Sequence, residues 1–266
     1  MLAKEFSMIS SALNNEKSEI THLQRNSSME FGSSKVWHVK SCAHAILSQA
    51  RLHPNVIALR GPESSLDGTF RELSYADLVF NATRLAKEMI SSLGGGIKEN
   101  LKGKSIAICL PRDIDFVVSM LACFFCGASY VPLSESLSTT RIAYILQDSG
   151  AKGILVACSD AASYGVCVKV KEILDEKNSG KMPPFLMVDQ VTGLIWSAGP
   201  LKEGYHVPKL SDPQFILPEP HDIAYMIYTS GTTGNPKGVE IPHDGMLNVL
   251  LAHVTMESVS KEDLKK

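Results

Sequence analysis

Residues 105–133 read SIAICLPRDIDFVVSMLACFFCGASYVPL, and the fold turns on this stretch. Ser105 to Leu110 is an apolar run of the length of a buried strand. Asp113 to Cys126 has the length and apolar content of a buried helix, and Ser129 to Leu133 is a second short strand. Strand, helix and strand at this spacing predict a right-handed βαβ unit and a parallel sheet.

The alternation continues on both sides. Upstream, Cys42 to Leu52 has helical spacing and Pro54 stops it, Val56 to Arg60 is a short strand, and Gly61 to Gly68 is rich in turn residues. Ser74 is placed to cap a helix that runs from Tyr75 through Ile90. Gly94, Gly95 and Gly96 end that helix. They do not form a dinucleotide fingerprint, because Glu99 occupies the third glycine position. Downstream come a helix at Arg141 to Asp148, a strand at Gly153 to Ala157, a helix near Val168 to Glu176 and a strand near Phe185 to Val188. The predicted fold class is α/β with parallel βαβ units. Gly199 to Pro220, with several prolines and no period, reads as an extended surface connection. Residues 1–34, rich in Ser and Asn with a short helical pattern at Glu16 to Leu23, read as a mobile extension before a body at 35–266.

Composition narrows the function. Across 266 residues, 26 basic and 28 acidic side chains give a formal charge of −2, without the basic excess of a nucleic-acid binder. The longest mostly apolar run, Phe116 to Ala128, is 13 residues, against about 20 needed to cross a bilayer. No membrane span is expected. Six cysteines in a chain of this length are no disulfide scaffold, and with no visible export or organelle signal the expectation is reduced thiols in the cytoplasm. The sequons at Asn26 and Asn81 are read as chance occurrences.

The chemistry concentrates in one place. An apolar strand, Ile223 to Tyr228, runs into Thr229-Ser230-Gly231-Thr232-Thr233-Gly234-Asn235-Pro236-Lys237-Gly238. Glycines let backbone amides approach a phosphate closely, hydroxyls add donors and Lys237 adds positive charge. By composition alone the segment suits either a phosphate cradle or a plain exposed turn. It is not a Walker loop, because Pro236 stands where the second glycine is required. There is no His-Glu-x-x-His or paired Cys-x-x-Cys pattern for a metal, and no Gly-x-Ser-x-Gly elbow for a serine nucleophile. Cys123 and Cys126 fall on a buried helix and read as core. His243, after Pro242, is placed either to touch a ligand or, as the first reading, to serve as a packing or helix-start residue, with Asp244 as a capping or first-turn carboxylate.

The complete string Tyr228 to Gly238 strongly resembles the signature loop of the adenylate-forming superfamily, which includes acyl-CoA synthetases, luciferases and the adenylation domains of nonribosomal peptide synthetases. Leu73 to Leu78 is similar to that family's early helix-start motif. Leu121 to Leu133 is similar to its second motif, and Arg141 to Asp148 to the helix that follows. The details sit closer to amino-acid-adenylating domains than to ordinary acyl-CoA synthetases. Ser134 departs from the pattern, since an aspartate is usual after Pro132-Leu133.

The resemblance implies an ATP-dependent, carboxylate-activating enzyme that forms an acyl-adenylate, with amino-acid adenylation as the first reading. Acyl-CoA synthesis or a non-catalytic nucleotide-binding or interaction fragment are the alternatives. It implies that Thr229, Ser230, Thr232, Thr233 and Lys237 bind the β- and γ-phosphates, with Gly231, Gly234 and Gly238 permitting the geometry. ATP with Mg²⁺, a small carboxylate or amino acid, phosphopantetheine or CoA as acyl acceptor, and a carrier domain as partner follow from the same likeness. The 28 residues after Gly238 offer no match to the family's adenine, ribose or catalytic-lysine motifs, so a truncated adenylation domain with no catalytic residue of its own is expected.

Overall fold

The computed structural model describes residues 39–62, 70–93, 101–134, 136–157, 161–176, 183–188, 216–229, 235–250 and 252. The expectations for residues 1–34, Gly94 to Gly96 and 199–215 lie outside the described residues.

The chain opens with α1 (Cys42–Leu52), capped by the buried Ser41, whose Oγ accepts from the His44 amide. Strands β1 (Ile57–Pro62) and β2 (Phe70–Ser74) then pair antiparallel as a separate two-stranded sheet. Strand β2 is not expected from the sequence, and Gly61 and Pro62, instead of opening a turn, continue β1 opposite Arg71 and Phe70. Helix α2 (Tyr75–Leu93) starts as expected at Ser74, and through a reciprocal box: the Asp77 amide donates to Ser74 Oγ (3.1 Å) while the Ser74 amide donates to Asp77 Oδ2 (3.2 Å). Asn81 on this helix is buried, so its sequon is closed in the folded chain.

The predicted βαβ unit is present as β3 (Ser105–Cys109), α3 (Ile114–Phe125) and β4 (Ser129–Pro132), with β3 and β4 parallel. Asp113 caps α3, accepting from the amides of Asp115 and Phe116. The helix ends at Gly127, whose φ of 76° is left-handed, with the Gly127 amide donating to Phe124 O (3.2 Å) and the Ala128 amide to Cys123 O (2.9 Å). This double closure turns the chain sharply into β4. Next come α4 (Thr139–Asp148), capped by Ser138, then β5 (Gly153–Val156), α5 (Ala161–Glu176) and β6 (Phe185–Met187). Helix α5 begins seven residues before Val168, where its apolar pattern first becomes clear. Last come β7 (Ile223–Thr229) and β8 (Lys237–Pro242).

The main sheet has six strands in the order β6-β5-β3-β4-β7-β8. The β6-β5, β5-β3, β3-β4 and β4-β7 pairs are parallel, and β7-β8 is antiparallel. From the central β3 the chain moves one way to β4 and then back across β3 to β5, so right-handed crossovers put α3 and α4 on opposite faces. The cores follow that division. Ile106, Ile108 and Tyr130 pack with α1, α2 and α3 on one face, around Leu47, Leu85, Phe116, Phe124 and Phe125. Ala107, Cys109 and Val131 pack with α4 and α5 on the other, around Ile142, Ile145 and Ile154. The two-residue alternation along β3, apolar on both sides, is what a sheet covered on both faces demands.

Candidate functional site

The site lies at the β7–β8 end of the main sheet. Strand β7 joins β4 at the pair Tyr130 and Tyr225, whose rings stack with centroids 5.5 Å apart and planes at 26°. Beyond that pair β7 runs on with β8 as a hairpin, in which Tyr228 faces Gly238 and Thr229 faces Lys237. Directly opposed residues of an antiparallel ladder share a face, so the Thr229 hydroxyl and the Lys237 ammonium flank the two ends of the connection together. Both residues are exposed. Among the described residues Lys237 makes no ion pair. An uncommitted ammonium beside a hydroxyl suits a polyphosphate. Ser230, Gly231, Thr232, Thr233 and Gly234, the remaining residues assigned to the phosphates, lie outside the described residues.

The opposite face of the same ladder explains Gly238. A Cβ at Gly238 would stand 3.0 Å from Met226 Sδ, 3.1 Å from Tyr228 Cζ and 3.2 Å from the Tyr228 hydroxyl. The Tyr228 ring lies across Gly238, so the need at this position is for space, and its backbone is not among the left-handed glycines. From there the Tyr228 hydroxyl donates to Asp148 Oδ2 at the end of α4 (2.7 Å), and the Tyr144 hydroxyl reaches Asp148 Oδ1 at 3.5 Å. Burial, and then the Asp148 carboxylate, push the Tyr228 phenol well above its ordinary range, so it stays protonated and donates. No local signal in the sequence marks Asp148 as part of this site: it is 80 residues from Tyr228.

At the far end of β8 the chain becomes helical over 243–250. The His243 amide donates to Asp222 O (3.0 Å) and the Asp244 amide to Pro220 O (2.9 Å), closing this junction onto the segment before β7. His243 is fully buried, edge-on to Phe124 at 4.6 Å, and among the described residues neither ring nitrogen has a hydrogen-bond partner. Burial holds its pKa down at about 4, so the ring is neutral. It is a packing residue at a helix start, as the sequence suggested. Asp244 pairs with His221 at 2.9 Å and accepts from the Gly245 amide. Cys123 and Cys126 are likewise core: both are buried and Cys126 Sγ donates to Cys123 O (3.2 Å). Ser134, the departure after β4, shares a hydrogen bond with Ser136 Oγ (2.8 Å).

With this geometry, comparison with known proteins is specific. The AMP-binding enzyme family matches residues 46–264 of the chain. A dimodular nonribosomal peptide synthase of Bacillus subtilis (strain 168) is 32% identical over 209 residues, which is 77% of this chain and 7% of that protein. The structure of McyG A-PCP complexed with phenylalanyl-adenylate superposes with a TM-score of 0.57 at 21% identity, covering 87% of this chain and 32% of that one. The o-succinylbenzoate CoA synthetase (MenE) of Bacillus subtilis, in complex with the acyl-adenylate intermediate OSB-AMP, superposes with a TM-score of 0.50 at 25% identity, covering 74% and 42% of the two chains. This chain therefore belongs to the AMP-binding, adenylate-forming enzyme family and is similar to peptide-synthetase adenylation domains. It spans less than a tenth of the length of the peptide synthase quoted.

Among the described residues no helix is long and apolar enough to cross a membrane.

Proposed function

We propose that this chain supplies the nucleotide-phosphate-binding part of an ATP-dependent domain that activates a carboxylate, an amino acid in the first instance. In that reaction a carboxylate oxygen bonds to the α-phosphorus of ATP and the bond to the β-phosphate oxygen breaks, giving an acyl-adenylate and pyrophosphate. Charge gathers on the departing phosphates, and donors fixed in advance lower the barrier. The observation that carries this reading is the pairing of Thr229 with Lys237 at the mouth of the 230–236 connection, which puts both residues on one face of the ladder. Ser230, Thr232 and Thr233 would add hydroxyl donors, and Gly231 and Gly234 room for backbone amides to approach. ATP would arrive as its Mg²⁺ complex, the ion carried by the phosphates. The peptide-synthetase relatives support an amino acid as substrate and a phosphopantetheine-bearing carrier domain as acceptor. The likeness to o-succinylbenzoate CoA synthetase supports the alternative, another carboxylic acid passed to CoA.

The test is ATP–pyrophosphate exchange with separate pools of amino acids and other carboxylic acids, on the protein and on Lys237→Ala. Joined to the rest of an adenylation domain, the chain is expected to exchange with the amino-acid pool, reduced by about 10²–10³ in Lys237→Ala, the usual cost of removing one transition-state stabiliser; the 266 residues alone, with no catalytic residue of their own, are expected to show almost none. Exchange that does not respond to Lys237→Ala refutes the phosphate role; exchange with the other pool alone moves the substrate to the second reading.

A further inference from the structure

The strap beneath the hairpin does something that the phosphate reading does not require. Three observations meet there. Tyr228 precedes Thr229 and lies directly opposite Gly238, which follows Lys237, so one side chain sits beneath both ends of the connection. Its ring lies over Gly238, close enough that a Cβ there would have to push the ring aside by a few tenths of an ångström. Its hydroxyl ends 2.7 Å from Asp148 Oδ2, on a helix in a separate stretch of the chain. The hairpin needs such a tie, because β7 has a single registered pair with β4, at Tyr225, and β8 is the last strand of the sheet. Beyond Tyr225 no further registered pair joins the hairpin to β4.

We propose that Asp148 is a positioning residue: through the Tyr228 hydroxyl it fixes the free end of the β7–β8 hairpin against α4, and so sets the direction in which Thr229 and Lys237 present their polar groups. The inference rests on the phosphate reading for its consequence but on the hairpin alone for its geometry, so the two can fail separately. Asp148 touches no substrate in this scheme. It acts only by way of Tyr228.

The experiment compares wild type with Tyr228→Phe, Asp148→Ala, Asp148→Asn and the double variant Tyr228→Phe/Asp148→Ala, by two readouts. One is hydrogen–deuterium exchange of the amides in 227–229 and 237–239. The other is protection of Lys237 from acetylation by Mg²⁺-pyrophosphate, read by mass spectrometry. Loss of one hydrogen bond to a carboxylate predicts roughly tenfold faster exchange at the hairpin in Tyr228→Phe and in Asp148→Ala. The double variant is no worse than either single, because both remove the same bond. Asp148→Asn, whose amide oxygen still accepts, recovers most of the protection, which a role in bulk packing alone does not predict. Pyrophosphate protection weakens by about the same factor as exchange rises.

Unchanged hairpin exchange in either single variant overturns the proposal, as does a pyrophosphate affinity that stays at the wild-type value while exchange rises. Additive effects in the double variant also overturn it, since the two residues then act independently. A wild-type chain whose Lys237 pyrophosphate never protects sinks the phosphate reading, while the exchange arm still decides whether Asp148 orders the hairpin. Tyr228→Phe keeps the ring over Gly238, so a folded variant is available even where Asp148→Ala proves unstable.

Discussion

Tyr130 and Tyr225 stack across the boundary between the parallel sheet and the hairpin, and they are also the one registered pair that joins β4 to β7. Tyr130 is at the same time edge-on to Phe116 at 6.2 Å and tilted against Phe124 at 5.9 Å, so the junction is an aromatic cluster anchored in α3. Replacing Tyr225 by Leu keeps apolar bulk and removes the stacking. It should cost about 0.5–1.5 kcal/mol, the worth of an aromatic pair beyond its buried area, read as a lower urea midpoint with an unchanged slope. A midpoint within error of wild type would show that the junction is held by backbone pairing alone.

His243 predicts an acid-side loss of stability. Its folded-state pKa is lowered from 6.5 to about 4, chiefly by burial, with the positive field of His44 adding to it and Asp222 and Asp244 opposing. His44 is itself lowered, by burial and Lys40. A depressed folded pKa means that the unfolded chain takes the proton first. Stability is complete above about pH 6.5 and falls as pH drops toward 4, by at most about 3 kcal/mol from His243. Urea midpoints at pH 7 and pH 5 should differ in wild type and differ much less in His243→Met, which fills the pocket without a titratable ring. Equal slopes in the two proteins would remove His243 as the cause.

The Ser74–Asp77 box should behave as a helix cap. Ser74→Ala leaves the start of α2 without its side-chain acceptor and frees Asp77 from the Ser74 hydroxyl, now 2.6 Å away. A loss of roughly 1 kcal/mol is expected in chemical denaturation. Ser74→Thr, which can cap in the same way, should lose less than half of that, and the ranking of the two variants is the check.

At Gly127 both backbone and space argue against a side chain. With φ at 76°, an L-residue is strained, and a Cβ would meet Ile216 Cγ2 at 3.0 Å and Lys102 Cβ at 3.3 Å. Gly127→Ala should destabilise by roughly 1–2 kcal/mol from the backbone alone, whereas the same change at Gly165, inside α5 with open space around it, should be neutral or slightly stabilising. Thermal melts of the pair distinguish left-handed strain from a general glycine effect.

Much of this molecule was legible because its signals are local. The apolar runs of β3 and β4 and the apolar helix between them are local patterns, and they delimit the βαβ unit to within a residue or two. Strand β7 was legible in the same way, as the apolar run Ile223 to Tyr228. Strand β2 was not legible: its five residues form a strand only by pairing with β1, where Ser74 meets Ile57, and nothing in Phe70 to Ser74 announces that partner. Sheet order was hidden for the same reason, since β5 lies beside β3 and not beside β4, its predecessor in sequence. Asp148 stayed hidden because a hydrogen bond between a helix end and a strand 80 residues later leaves no period or spacing to read.

The thiols of Cys42, Cys109, Cys123 and Cys126 are enclosed, and burial holds Cys42 and Cys126 at a pKa of about 12. An alkylating reagent needs both access and a thiolate, so the folded protein denies it both at Cys42, Cys123 and Cys126, and denies it access at Cys109. Each of these sulfurs is in effect a recorder of local opening. Cys42 lies at the start of α1, Cys109 at the end of β3, and Cys123 and Cys126 at the close of α3, so timed alkylation followed by peptide mapping would rank how often each layer of the sheet comes apart, without any introduced label.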